Sequence, residues 1–276
     1  MRVLLAADDS SEAQHATEWL RALPLPDHAV LYVVTAATLV DPPSSSQSVS
    51  ALRQTLRTEA GQAAERAAAI LKERWPQVTT VVAEGDARVE ILHVADEVRA
   101  DMIVVGARGL GRIRRLLGGS TSLAVARYAR CSVAVVPEGR RPLGRVIVGL
   151  DDSPASRAAL TLLSRFVLAA ETPIILLHVL REKSPETSVR DERSTADQLL
   201  AQAETVLREH RYSIERMVGG GDAAGEIVRV ARERDVDLIL LGARGLRTLG
   251  RLFLGSVSEA VLHHAGRPVI VAREPG

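Results

Sequence analysis

The chain has 276 residues, 46% of them apolar and 25% charged, with Lys+Arg 35 against Asp+Glu 34 and a net charge of +1. That length holds about two domains, and that composition excludes a disordered chain, a collagen-like chain and a disulfide scaffold. The balanced charge shows no overall basic excess of the kind that a nucleic-acid-binding domain carries, which leaves only a local basic patch to consider.

With aromatics at 3%, Ala, Val, Leu and Ile must build the core. The single cysteine, Cys131, cannot close an internal disulfide and fits a reducing compartment. The N-terminal apolar run Val3–Ala7 meets Asp8-Asp9 too early for a signal peptide. Arg165 and Glu171 interrupt the longest apolar stretch, Leu160 to Leu180. A soluble cytoplasmic protein is expected, with no membrane partner.

In chain order, Val3–Ala7 reads as a short apolar strand. Ser10 or Ser11 caps a helix that Pro24 stops after Ala22. Val30–Val34 is a second strand. An Ala- and Glu-rich helix covers Val49–Arg74 and ends before Pro76. Val78–Ala83 is a third strand, Ala87–Arg99 a helix, and Met102–Val105 a buried strand. Glycine-rich residues 106–119 form a loop, Ser120–Ala129 a helix, and Val133–Val136 a closing strand. The linker Pro137–Gly144 follows, and strands recur near 146–150, 173–179, 213–218, 238–241 and 269–272.

This recurrence is a duplication. Residues 85–135 overlay 221–271 at a constant offset of 136, with 25 identities in 51 positions. The starts match at an offset of 143, Val3–Ser10 answering Val146–Ser153, so seven residues are gained or lost in between. The loops at Asp41–Ser46 and Lys183–Pro185 are the places for that change. Domains over 1–138 and 144–276 follow. Alternating strands and helices, with near-continuous apolar strands, predict an α/β fold whose parallel sheet is covered on both faces.

The most informative segment follows the fourth strand. Gly106-x-x-Gly109, nine residues, then Gly119-Ser120 is repeated as Gly242-x-x-Gly245, nine residues, then Gly255-Ser256. Glycines that leave a strand let an oxyanion approach main-chain N–H groups, and the helix that follows presents its positive end. Ser120, Thr121 and Ser122 can add hydroxyls in the first copy, and Ser256 and Ser258, either side of Val257, in the second. For one copy, turn glycines and a capping serine explain the pattern equally well; its repetition in the same context favours anion binding. The segment is neither G-x-G-x-x-G nor a P-loop, since the Walker lysine is missing.

These residues resemble the universal stress protein family in its tandem two-domain form. The G-2x-G-9x-G-[S/T] pattern marks the nucleotide-binding branch, and the aspartate after strand one and the Gly-Asp-Ala…Glu-Ile stretch also fit. The resemblance implies two Rossmann-like (adenine nucleotide alpha hydrolase-like) domains, each a five-stranded parallel sheet flanked by helices, paired through their last strands as an internal pseudo-dimer. It implies one ATP, ADP or AMP per domain. Asp8 and Asp151 would lie at the adenosine end, and Val33 and Val179, ending strand two, would touch adenine through their backbone. Gly106, Arg108, Gly109, Gly119, Ser120 and Thr121, with Gly242, Arg244, Gly245, Gly255, Ser256, Val257 and Ser258, would surround ribose and phosphates.

Two departures stand out. The family's glycine two residues before the aspartate is Gly149 in the second half but Ala6 in the first, and the residue after each aspartate is Asp9 or Asp152 where glycine is usual. An added carboxylate beside phosphates calls for a bridging cation such as Mg²⁺.

Other features weigh less. Arg108, Arg112, Arg114, Arg115 and Arg244, Arg247, Arg251 serve either phosphate neutralisation and docking or a solvated loop. No aromatics interleave with them, which argues against nucleic acid. His263-His264 are helix neighbours that face apart and make a poor metal pair, and His178 reads as a packed or rim residue. No catalytic or metal-ligating set is evident. The leading reading is a nucleotide-dependent stress-response regulator with an unidentified regulatory protein partner and little catalysis; self-association of the chain stays open. The rivals are a Mg²⁺-dependent hydrolase using Asp8 and Asp151, and a nucleotide-free scaffold.

Overall fold

A computed structural model describes residues 1–39, 46–107, 120–139, 143–180, 186–243 and 254–274, with the side chains of 46–48, 120 and 186–191 outside the description. The chain separates into two compact units. The first runs β1 (Arg2–Ala6), α1 (Ser11–Ala22), β2 (Val30–Ala37), α2 (Ser46–Lys72), β3 (Val78–Glu84), α3 (Ala87–Glu97), β4 (Met102–Gly106), α4 (Ser120–Tyr128) and β5 (Ser132–Val136). The second repeats it as β6 (Val146–Gly149), α5 (Pro154–Ser164), β7 (Pro173–Leu180), α6 (Glu186–Leu207), a 3₁₀ turn (Arg208–His210), β8 (Ser213–Gly220), α7 (Ala223–Glu233), β9 (Leu238–Gly242), α8 (Ser256–His264) and β10 (Val269–Ala272).

Within the first unit the strands lie in the order β3-β2-β1-β4-β5, all parallel; within the second the order is β8-β7-β6-β9-β10, also all parallel. Each unit is thus a parallel sheet, as the alternation predicts, in the five-stranded Rossmann-like form that the family resemblance implies. Helices α1 and α2 pack together, as do α3 and α4, in keeping with cover on both faces. Strands β1, β4 and β5 are apolar without alternation because both faces are buried; Leu4, Leu5, Ile103 and Val104 are fully enclosed. Edge strand β3, by contrast, is only partly covered along its length.

Short polar residues place the helix starts. Ser10 caps α1, its side chain accepting from the Ala13 N–H, and Ser153 caps α5 in the same way through Ser156 N–H, with Pro154 at the first helical position. Asp86 and Asp222 cap α3 and α7. The sequence reading ends several elements early: β2 continues to Ala37, β7 to Leu180 and β8 to Gly220. Helix α2 begins at Ser46, three residues before the predicted Val49, and stops at Lys72, while α3 stops at Glu97. The offset remains 143 through β2 and β7 and is near 136 by the ends of β3 and β8, so the length change lies between the second and third strands.

Candidate functional site

In each unit the chain leaves the central strand in both directions: β1 leads to β2 and β3 on one side, while β4 and β5 lie on the other. Such a switch point opens a crevice at the carboxyl ends of the two adjoining strands. Here those strands are β1 and β4, and β6 and β9. Asp8 and Asp151 follow the first of each pair; Gly106 and Gly242 end the second. The predicted aspartates and strand-end glycines therefore stand at one crevice per unit.

The aspartates are held in turns. Asp8 accepts from the Ser10 N–H at 3.0 Å and from the Ser10 hydroxyl. Asp151 accepts from Ser153 N–H at 3.2 Å and from its hydroxyl. Each serine thus ties its carboxylate to the first turn of the helix, as a donor to the carboxylate and an acceptor from the helix N–H. The second turn has two further ties. Ser156 Oγ accepts from the Asp151 N–H at 3.1 Å, and His178 Nδ1 lies 2.8 Å from the Leu150 carbonyl oxygen. A carbonyl only accepts, so Nδ1 carries the proton.

Asp9 and Asp152 each have an arginine partner within their own unit. Arg66 of α2 pairs with Asp9, and Arg157 of α5 pairs with Asp152 at 3.1 Å. Among the described residues no three His, Cys, Asp or Glu side chains gather as a metal site.

Gly106 and Gly242 have a packing reason for lacking a side chain. A β-carbon on Gly106 would lie 2.6 Å from the Glu12 carbonyl oxygen, and one on Gly242 2.6 Å from the Ala155 carbonyl carbon. The end of the fourth strand touches the backbone of the helix after the first, so this glycine serves close helix–strand approach. Gly149 answers another neighbour: a β-carbon there would meet Leu241 Cδ2 at 2.4 Å. In the first unit the corresponding pair is Ala6 and Val105, both buried. The methyl gained at Ala6 is given up at Val105, so the departure from the family's glycine is a volume exchange within the core.

The second glycine segment is closed at its base. Gly255 N–H donates to the Ala243 carbonyl at 2.7 Å, and the Ser258 hydroxyl donates to the Gly242 carbonyl at 2.7 Å. Ser258 is buried, with its hydroxyl engaged in that bond. Gly255 is the cap of α8 and offers no side chain, which leaves the first-turn N–H groups of Ser256, Val257 and Ser258 without side-chain caps from that position. Ser256 is exposed and Val257 half-buried. In the first unit Ser120 opens α4, Thr121 is half-exposed and Ser122 buried. Arg108, Gly109, Gly119, Arg244 and Gly245, with Arg112, Arg114, Arg115, Arg247 and Arg251, lie outside the described residues.

Val33 and Val179 do not occupy matching places. Ala7 N–H donates to the Val34 carbonyl and Leu150 N–H to that of Leu177, which equates Val34 with Leu177 and Val179 with Ala36. Val33 sits in mid-strand between Leu5 and Thr80, while Val179 is one residue from the end of β7. Thr35-Ala36-Ala37 is too weakly apolar to read as strand, so the sequence places the end of β2 too early. Sequence reasoning also misses Ser156 and the role of His178. The Ser153-x-x-Ser156 spacing is the signal for the first; nothing local signals the second, since its bond spans 28 positions.

The model of the universal stress protein family matches residues 1–137 and again 142–273. The chain is similar to universal stress protein Rv2623 of Mycobacterium tuberculosis (strain ATCC 25618 / H37Rv), 28% identical over 99% of this chain and 96% of the relative. It is equally similar to Rv2005c of the same strain, 28% identical over 99% and 97%. Among solved structures, that of a universal stress protein from Archaeoglobus fulgidus DSM 4304 matches with a TM-score of 0.71 at 18% identity, covering 99% of this chain and 98% of the other. Two family matches in tandem, over two units with the same strand order, establish that this chain belongs to the universal stress protein family.

Proposed function

We propose that each unit binds an adenine nucleotide, ATP in the first instance, and that nucleotide occupancy governs association with a regulatory protein partner in a cytoplasmic stress response. One observation supports this: in the second unit α8 opens with a glycine cap at the carboxyl end of β9, and Asp151 follows the neighbouring parallel strand β6. The positive end of α8 and its first-turn N–H groups suit phosphate oxygens, with the Ser256 hydroxyl beside them. The Asp151 carboxylate suits a sugar hydroxyl, because an ionised carboxylate only accepts. Asp8 and the start of α4 take the same parts in the first unit. The glycine-rich segments, with Arg108, Gly109, Gly119, Arg244 and Gly245, complete the phosphate side, and Val179 the base side.

These residues bind and orient. No nucleophile with a partnered base emerges among them, so turnover is slow under this reading, and the response comes from differential affinity of nucleotide for two association states. The test is to denature freshly purified protein, identify the released nucleotide by chromatography, and then titrate nucleotide-free protein with ATP. Up to two adenine nucleotides per chain are expected. No nucleotide in either assay overturns this reading in favour of a nucleotide-free scaffold, and sustained turnover faster than one per second in favour of a hydrolase.

A further inference from the structure

Strand β3 closes one side of the first unit's sheet, and among the described residues its outer edge pairs with no strand. The ladder with β2 fixes which backbone groups stay free. The Leu31 N–H donates to the Gln77 carbonyl at 3.2 Å and the Gly85 N–H to the Ala37 carbonyl at 3.2 Å, with an unbroken parallel register between them. Thr79, Val81 and Ala83 therefore spend both N–H and C=O on β2, while Val78, Thr80, Val82 and Glu84 turn both to the open edge.

Nothing within β3 guards that edge. The strand is uncharged up to Glu84, has no proline or bulge, and is at least partly exposed along its whole length. The charges beside it are answered inside the unit: Arg57 pairs with Glu84 at 3.2 Å, and Glu65 accepts from the Thr80 hydroxyl at 2.8 Å and faces Lys72 at 3.9 Å. Edge strand β8 of the second unit is built otherwise. It carries exposed Glu215 and Arg216, tied to Arg234 at 2.8 Å and to Glu204 at 3.3 Å. Charged side chains on an edge strand discourage a further strand from adding; β8 has them at mid-strand and β3 does not.

We infer that the edge of β3 is a docking surface for the same strand of a second copy of this chain, the two strands running antiparallel about a twofold axis at Val81. The occupant follows from the register. Centred on Val81, the pairing sets Val78 of one copy against Glu84 of the other and Thr80 against Val82, so every outward N–H meets an outward C=O. Centred one residue earlier it would set Glu84 against Pro76, which has no N–H, and one residue later Val78 against Asp86, the cap of α3. Charge fits the same arrangement. The two Glu84 carboxylates lie at opposite ends of the pair, each beside its own Arg57, and no like charges meet at the axis. The equivalent pairing of β8 about Met217 would set one Arg216 diagonal to the other. The contact is isologous, as a cyclic dimer requires.

Sedimentation velocity on the full chain over a concentration series tests this, and dimer is expected to accumulate as concentration rises. Val82→Pro removes an outward N–H and no bond to β2, so it should return the chain to monomer with its circular dichroism kept. Val81→Cys, with Cys131→Ser, should join two copies by a disulfide on mild oxidation, because residues facing each other in such a pair have Cα atoms about 4.5 Å apart. Thr79→Cys in the same background should not, since its two copies lie about 14 Å apart along the strands. Val81→Lys and Val81→Glu should each be monomeric alone and dimerise when mixed, a gain that loss of folding cannot mimic. A parent chain that is monomeric throughout overturns the inference. So does a dimer that survives Val82→Pro, cross-linking as strong at Thr79→Cys as at Val81→Cys, or a Lys and Glu mixture that stays monomeric.

Discussion

The first and second units share a strand order and almost every element, yet they solve the same local problems with different atoms. Where β1 and β4 run side by side, the first unit packs Ala6 with Val105 and the second packs Gly149 with Leu241. At the fourth position of the helix after β3 and β8 both carry a glutamate. Glu226 is gripped by Arg229, which also reaches Glu233; in the first unit the arginine's place is taken by His93, which faces Glu97 at 3.6 Å. A duplicated fold thus preserves the backbone path and lets paired side chains drift together. The shared features report what the fold demands, and the differences report where the two copies have separated.

The strongest way to break the likeness is at a feature both units share. Gly242→Ala and Gly106→Ala each drive a methyl into helix backbone, which cannot move aside like a side chain. Each should cost about 3 kcal/mol, read as a fall in denaturant midpoint. Near-neutral effects would show that the helix–strand approach is looser than the distances imply. Gly149→Ala meets only the far end of Leu241 and should cost about 1–2 kcal/mol. Adding Leu241→Val recreates the first unit's pair and should recover most of that loss. A double-mutant cycle with no coupling would refute the volume exchange.

The capping serines come next. Ser153→Ala and Ser10→Ala should each cost about 1 kcal/mol of stability. Both hydroxyls donate to their aspartates, but the Ser153 variant should cost more, since Ser153 is enclosed and Ser10 half-buried. Equal losses would show that enclosure adds nothing to the cap.

The smallest effects are electrostatic. The hydrogen bonds from Arg229 hold Glu226 below its ordinary carboxyl value of 4.5. A carboxyl lowered on folding stabilises above its unfolded value and loses that contribution as pH falls through the folded one. Arg229→Ala should therefore weaken the protein slightly near neutrality and leave less to lose in acid, with Glu226 titrating nearer 4.5 by carbon-13 NMR. Arg88, bonded to exposed Asp86, brings that carboxyl from 3.8 to about 2. Arg88→Ala should return it toward 3.8.

The alternation of Val3–Ala7, Met102–Val105 and their repeats made the sheet legible, because buried parallel strands need unbroken apolar runs and helices need capping serines and aspartates. The aspartates and strand-end glycines were legible too, because duplication singles out what both copies keep. What sequence could not give is which service a residue performs. Ser258 reads as a phosphate donor, and its bond to Gly242 is invisible in the sequence; Gly106 reads as an anion cradle, and its close approach to Glu12 is invisible too. Those outcomes depend on contacts across the fold, and so does the tie between His178 and Leu150.

The exchange of Ala6 and Val105 for Gly149 and Leu241 also constrains history. Two substitutions separate the pairs, and the order in which they occur matters. Shrinking first leaves a methyl-sized void, which a core tolerates at about 1 kcal/mol. Growing first sets a β-carbon 2.4 Å from a leucine methyl. Whichever half kept the older pair, the passable route runs through the smaller intermediate. Halves of a duplicated chain can then diverge in the core without either copy ceasing to fold.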